Sequence, residues 1–189
     1  MLAFLSVSLV FLSSCKDDPV EVVSPYIGDY IITKATLSEA LVLQTLPITP
    51  MTVPAGTDIT QMIVTALLGA IECEPANSLI ELREDFSLYL SCTSSSEELD
   101  AGTWEELSET VIVLSMNSTA IPSSPTGIVL TISDVSLVSN VLTGTTTVPI
   151  SNQMLAVLIP LMSGGALTLD MEATPPALPI TFTIELEKQ

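Results

Sequence analysis

An alternation of inward and outward side chains over residues 80–83 and 87–92 constrains the fold of this chain more than any other feature. In the stretch SLIELREDFSLYLSC, Ile80 and Leu82 alternate with Glu81 and Arg83. After the central EDF the alternation resumes, with Leu88, Leu90 and Cys92 between Ser87, Tyr89 and Ser91. A period of two is typical of strands that bury one face. The pattern predicts a hairpin that places Leu82 opposite Leu88 and Ile80 opposite Leu90, with the turn around Glu84.

Three cysteines have to be assigned. The predicted hairpin register puts Cys92 opposite Ser78, five residues after Cys73. If Cys15 is used for another purpose, Cys73 and Cys92 remain as an even pair, and a disulfide between them is sterically reasonable. An exported bacterial protein resides where disulfides persist. The alternative is a pair of reduced thiols in the core.

The rest of the chain predicts further short strands, nine or ten in all, joined mainly by turns. Residues 94–100 are predicted to be an acidic loop between two of these strands. Residues 59–71 and 153–162 are apolar on nearly every side but too short to cross a membrane, so we expect buried helices that plug or cap the core. The predicted fold is mostly β: an antiparallel β-barrel or sandwich with two short apolar helices.

The first residues indicate export and attachment to a membrane. Residues 2–12 are apolar apart from two serines, and Leu12-Ser13-Ser14-Cys15 follows at once. An apolar run of about ten residues suits a secretion signal and is too short to span a bilayer. Small residues before a cysteine are typical of a bacterial lipoprotein signal. We therefore expect a signal peptide at 1–14, acylation of Cys15 (palmitate), a tether at 15–24 and a folded domain at 25–189. The alternative is a buried N-terminal strand with a free thiol.

Lys16-Asp17-Asp18, directly after this cysteine, resembles the surface-export signal of Bacteroidetes lipoproteins. The alternative is an ordinary polar tether. The expected location is the outer membrane, through a lipid anchor. Whether the domain faces the periplasm or the outside is left open.

Charge and composition exclude several classes of function. The net charge is −18 with four basic residues, so the chain cannot neutralise phosphates and nucleic-acid binding is not expected. There is no histidine, which excludes Ser-His-Asp and Cys-His catalysis and metal sites with imidazole ligands. We expect no enzymatic activity, no cofactor and no metal. The acidic cluster is interpreted as solvated surface: Glu97, Glu98, Asp100, Glu105, Glu106 and Glu109.

Aliphatic residues exceed what exposed acidic strands require, which leaves two hypotheses for function. In the first, an aliphatic interior binds a small apolar ligand or lipid. In the second, the core is fully packed, and the domain is a structural or interaction module that binds another protein of the envelope.

Three short motifs extend this interpretation. Gly28-Asp29-Tyr30 lies on the first predicted strand, the two later cysteines flank the hairpin, and Gly102-Thr103-Trp104 follows. Over residues 26–116 the chain resembles the lipocalin-like lipoproteins of Bacteroidetes. This resemblance implies a barrel that binds an unspecified ligand, and it carries over no ligand-binding residues. We expect Trp104 and Tyr30 to close one end of the core rather than to touch a ligand.

Overall fold

The computed structural model describes residues 23–47, 50–71, 73–121, 124, 126–162 and 165–189. The predicted signal peptide and the predicted acylation site, Cys15, lie outside these residues. The elements in chain order are β1 (Gly28–Leu37), β2 (Leu41–Leu43), β3 (Thr45–Leu46), β4 (Met51–Val53), α1 (Thr60–Leu68), a 3-10 turn (Pro75–Asn77), β5 (Ser78–Leu82), β6 (Ser87–Cys92), β7 (Glu98–Ser108), β8 (Val111–Met116), β9 (Ile128–Val138), β10 (Val141–Ser151), α2 (Asn152–Met162), β11 (Thr168–Leu169) and β12 (Ala177–Lys188).

Eight of these strands form one closed antiparallel barrel. Going around it, the order is β1, β5, β6, β7, β8, β9, β10 and β12, and β12 pairs with β1 to close the ring. Each barrel strand therefore lies beside its neighbours in the chain. The prediction of an antiparallel barrel or sandwich with two short helices is confirmed, and the barrel is the form that is present. Closure leaves no exposed sheet edge in the ring.

The hairpin predicted from the alternating pattern is present in the predicted register. Ile80 pairs with Leu90, and Leu82 pairs with Leu88. Cys92 lies opposite Ser78 at the far end of the same pair of strands. Inward and outward positions alternate along every strand of a barrel, so this one register fixes which side chains of β5 and β6 enter the core.

The barrel has two different ends. At one, which we call the helix end, β1 and β10 finish and β5 and β12 begin; α1 connects the first pair and α2 the second. At the other, the turn end, the strands are joined by tight turns. Six of the nine residues of α1 are buried, which agrees with a helix that plugs the core.

The acidic segment before Trp104 differs from its prediction. Residues 94–100 were expected to form a loop, but β7 begins at Glu98 and pairs Glu98 with Ser91 and Leu99 with Leu90. Asp100 then pairs with Tyr89 on β6. The strand extends through this acidic stretch because its charged side chains point to solvent while β6 supplies partners for its backbone.

Gly102 shows why the Gly-Thr-Trp motif needs its glycine. Its φ angle is +131°, and a Cβ atom placed there would lie 2.1 Å from the carbonyl oxygen of Ser115. The pairing between β6 and β7 shifts register at the same place, between Leu88 and Tyr89. The strand therefore bends at a bulge that only glycine accommodates without strain.

Candidate ligand site at the helix end of the barrel

The centre of the barrel is almost filled by side chains. What remains is an enclosed inner cavity of about 10 Å³. It is lined by Leu67 of α1, by Thr146 of β10, and by aliphatic and aromatic side chains of β5, β6, β8, β9 and β12. A cavity needs about 10–15 Å³ to hold one water molecule, so this interior holds no ligand in the conformation described.

Among the described residues that line the inner cavity, Thr146 is the one polar residue. It is 3% exposed, and its hydroxyl oxygen has no hydrogen-bond partner among the described residues. Leaving a buried hydroxyl unpaired costs about 1–3 kcal/mol. A barrel whose only requirement was stability would be better served by valine at this position.

An apolar groove opens at the helix end, with a volume of about 200 Å³. We call it the helix-end groove; its lining is Ala66, Leu67, Ser124, Ile128, Val148, Pro149, Ile150, Ser151, Met154 and Ala177. None of these side chains carries a charge. Among the described residues, Leu67 is the one that lines both this groove and the inner cavity. Its side chain therefore separates the solvent-facing groove from the barrel interior.

The N-terminal end of α1 is bound to the end of β1. The backbone N–H of Ile59 donates to the carbonyl oxygen of Ala35 at 2.8 Å, and the N–H of Ala35 donates to the hydroxyl of Thr60 at 2.9 Å. Asp58 in turn accepts from the N–H of Thr60 at 2.9 Å. The hydroxyl of Thr60 also donates to this carboxylate, at 2.6 Å. That bond, and after it the one from the N–H, favours the ionised carboxylate, so the pKa of Asp58 lies below its usual value.

The chain that follows α1 is bound to β6 by the disulfide between Cys73 and Cys92, whose Cα atoms are 5.9 Å apart. The predicted pairing is thereby confirmed. Helix α1 is held on β1 before its first turn and on β6 shortly after its last. It lies across the opening of the barrel, which is why Leu67 reaches the interior.

The turn end is closed by aromatic side chains. Trp104 is 2% exposed, and its indole N–H donates to the carbonyl oxygen of Arg83 at 2.9 Å. Tyr30 is fully buried and donates to the carbonyl oxygen of Tyr26 at 2.8 Å. Burial, and then the neighbouring Tyr26, raises the pKa of Tyr30 to about 12. These side chains pack in the core as predicted, and neither Trp104 nor Tyr30 lines the inner cavity.

The acidic cluster predicted from the sequence lies on and beside β7, on the outside of the barrel, and all six carboxylates are exposed. Glu98 contacts Arg83 at 2.8 Å, and Glu106 accepts from the hydroxyl of Ser24 at 2.7 Å. Among the described residues, no three side chains of the types that bind metals come together as ligands for an ion.

Two residues of this site, Leu67 and Thr146, were not identified from the sequence. Thr146 carried a usable signal, because it shares the inward-facing alternation of β10 with Leu142, Val148 and Ile150. Leu67 carried none, since every side of its apolar helix looks equally suited to burial.

None of the helices in the described part of the chain has the length and apolar content needed to cross a membrane. Comparison of the chain with protein-family models, with curated proteins and with solved structures finds no match.

Proposed function

We propose that this chain is a non-enzymatic, lipocalin-like lipoprotein of the cell envelope that binds a small apolar molecule at the helix end of its barrel. The observation that carries the proposal is the position of Leu67. One side chain separates an apolar groove open to solvent from an aliphatic interior that contains an unpaired hydroxyl.

The groove alone is too small to enclose a typical ligand. Its volume is about 200 Å³, whereas pockets for small molecules usually measure about 300–1,000 Å³. Displacement of Leu67 adds the space of its side chain and joins the groove to the inner cavity. In this proposal α1 acts as the gate of the site, because its Leu67 blocks the way from the groove to the interior. The described structure is the closed state.

Leu67→Ala is expected to leave this gate permanently open, so that the groove and the inner cavity are joined. Binding of N-phenyl-1-naphthylamine, a neutral apolar fluorescent probe, should become about tenfold tighter, because the wild-type protein spends most of its time closed and its apparent affinity is reduced accordingly. The measurement is probe fluorescence during titration of the purified full-length chain, with Cys15→Ser to remove the predicted acylation site.

Leu68→Ala is the matched control. Leu68 is the next residue of α1 and is equally buried, but it lines neither the groove nor the inner cavity. Each substitution should lower the free energy of unfolding by about 2–5 kcal/mol. Equal probe binding by the two variants would mean that the probe enters because the fold is destabilised, and not because the Leu67 side chain is removed from the gate. The proposal would then be wrong.

The filled interior favours a second candidate function, an interaction module for another envelope protein. Such a module needs no cavity, and several large apolar side chains are exposed on the described surface, among them Val42, Leu46, Val129 and Val138. Crosslinking on intact cells followed by purification would test it. A partner recovered at fixed stoichiometry with both the wild-type chain and Leu67→Ala would favour the module.

Attachment through Cys15 is part of the proposal and has its own test. Cys15→Ala should abolish incorporation of radiolabelled palmitate and release the protein from the outer-membrane fraction, because the acyl chains would be the anchor. Cys73→Ala is the control, since that cysteine is held in the disulfide. Label that still enters Cys15→Ala would show that the attachment site lies elsewhere.

A further inference from the structure

We propose that this chain forms a reversible dimer through an uncharged face on the outside of its barrel. This face, which we call the neutral face, lies on β9, β10 and β12 and is defined by six outward side chains: Val129, Thr131, Ser133, Thr145, Thr147 and Thr183. None of them lines the helix-end groove or the inner cavity, so the inference does not depend on ligand binding.

Charge is distributed very unevenly over the barrel. The chain has 22 acidic and four basic residues, yet Asp134 is the one charged residue in the segment 111–169, which contains β8, β9, β10 and α2. Outward carboxylates lie on the other strands, among them Asp29 on β1, Glu81 on β5 and Glu98 on β7. In the ring of eight strands, β5 lies directly across from β9. One side of the barrel is therefore acidic, and the other is almost free of charge.

The uncharged side chains form a continuous row across neighbouring strands. Ser133 of β9 pairs with Thr145 of β10, and Thr145 pairs on its other side with Thr183 of β12. Val111 of β8 and Thr36 of β1 extend the row at its two ends. Valine and threonine are stiff at χ1, so they lose little conformational entropy when a partner covers them. Because a hydroxyl both donates and accepts, such a row can pack against a copy of itself.

The net charge of −18 favours a second copy of the chain as the partner at this face. A basic partner would be drawn to the acidic side, whereas two copies that met through β5, β6 or β7 would repel each other. When two neutral faces meet, the acidic sides point away from each other. Each acidic side then lies roughly 15 Å from the interface, the width of an eight-stranded barrel, which exceeds the Debye length of about 8 Å at physiological ionic strength.

The size of the neutral face indicates a weak dimer. Four neighbouring strands about 4.8 Å apart, over about six residues with a rise of about 3.4 Å each, span roughly 400 Å² of sheet plane. Stable interfaces bury about 800 Å² of accessible surface on each partner. We therefore expect a dissociation constant in the micromolar range, so that the fraction of dimer depends on protein concentration.

Sedimentation equilibrium of the purified full-length Cys15→Ser protein tests the inference. The dissociation constant of the dimer should fall about tenfold when NaCl is raised from about 20 mM to about 500 mM, because salt screens the repulsion between two acidic chains. A dimer that weakens with salt would be held by ion pairs and would overturn the inference. A protein that stays monomeric up to about 1 mM at both salt concentrations would overturn it as well.

Thr131→Glu locates the interface. It adds a carboxylate to the neutral face, so the dissociation constant should rise at least about tenfold. Thr93→Glu is the matched control, because Thr93 is an exposed threonine directly after β6, on the acidic side. That variant adds the same charge and should change the dissociation constant by less than about twofold. Equal effects of the two substitutions would show that the dimer forms through another surface.

Asp134→Asn gives a second test, which decides the question if urea unfolding shows that Thr131→Glu disrupts the barrel. Asp134 is exposed next to Ser133, and its φ angle of +55° is one that asparagine also accepts. Removing this charge from the border of the neutral face should tighten the dimer severalfold. Glu84→Gln removes a charge from the exposed β5–β6 turn and should leave the dissociation constant unchanged. Equal dissociation constants for these two variants would overturn the inference.

Discussion

Trp104→Ala is expected to lower the free energy of unfolding by about 3–5 kcal/mol, the usual range when a buried tryptophan is truncated. Trp104 is 2% exposed and closes the turn end of the barrel together with Phe86, whose ring centroid lies 5.5 Å away. The substitution leaves a large void. It also removes the indole N–H that binds the carbonyl oxygen of Arg83. Urea unfolding followed by circular dichroism measures the change.

Two further variants make this result interpretable. Trp104→Phe keeps an aromatic ring but not the hydrogen bond, so its loss should be intermediate. Leu107→Ala changes an exposed residue of the same strand, 61% accessible, and should alter the free energy of unfolding by less than about 0.5 kcal/mol. A loss of under about 1.5 kcal/mol for Trp104→Ala would contradict its role in closing the barrel.

The features that could be predicted from the sequence are those set by local periodicity. The register of the β5–β6 hairpin follows from alternation alone, because a slip by one residue would turn its leucines to solvent. The Cys73–Cys92 pair follows from that register, since it places Cys92 beside the chain that leaves α1. The number of barrel strands does not follow, because closure depends on pairing between β1 and β12 at opposite ends of the chain.

Prolines make the start of β12 difficult to predict from the sequence. β12 begins at Ala177 and passes through Pro179, a residue type that argues against a strand, and Pro179 pairs with Pro149 of β10. Pro179 precedes Phe182, which is the first residue of β12 that pairs with β1. The described part of the chain has no neighbouring strand on that side to receive an N–H from residue 179, so proline is tolerated there as it is on an edge strand.

The size of the interior could not be predicted from the sequence either. An excess of aliphatic residues is compatible with both a ligand cavity and a packed core, and the outcome depends on where α1 lies in three dimensions. Leu67 reaches the inner cavity because its helix is held on β1, which precedes the helix in the chain, and on β6, which follows it. Neither the filled interior nor the position of Leu67 at its opening can be predicted from a local sequence pattern.

Replacing both disulfide cysteines, as Cys73→Ala with Cys92→Ala, should release the C-terminal end of α1 while leaving its N-terminal bonds to β1 in place. The loop closed by this disulfide spans 19 residues of separation, for which chain entropy gives a stabilisation of about 3 kcal/mol. The double variant should therefore unfold at a lower urea concentration. Alanine is chosen because Cys92 is 8% exposed and a hydroxyl there would need a partner.

The same double variant also tests whether the disulfide restricts opening of the proposed gate. With α1 held at one end instead of two, Leu67 should leave the interior more often, so N-phenyl-1-naphthylamine should associate faster in stopped-flow measurements. Reduction of the wild-type protein with dithiothreitol should reproduce both effects, and the reductant should not change the double variant. A wild-type protein that unfolds at the same urea concentration before and after reduction would show that the disulfide does not hold α1 on the barrel.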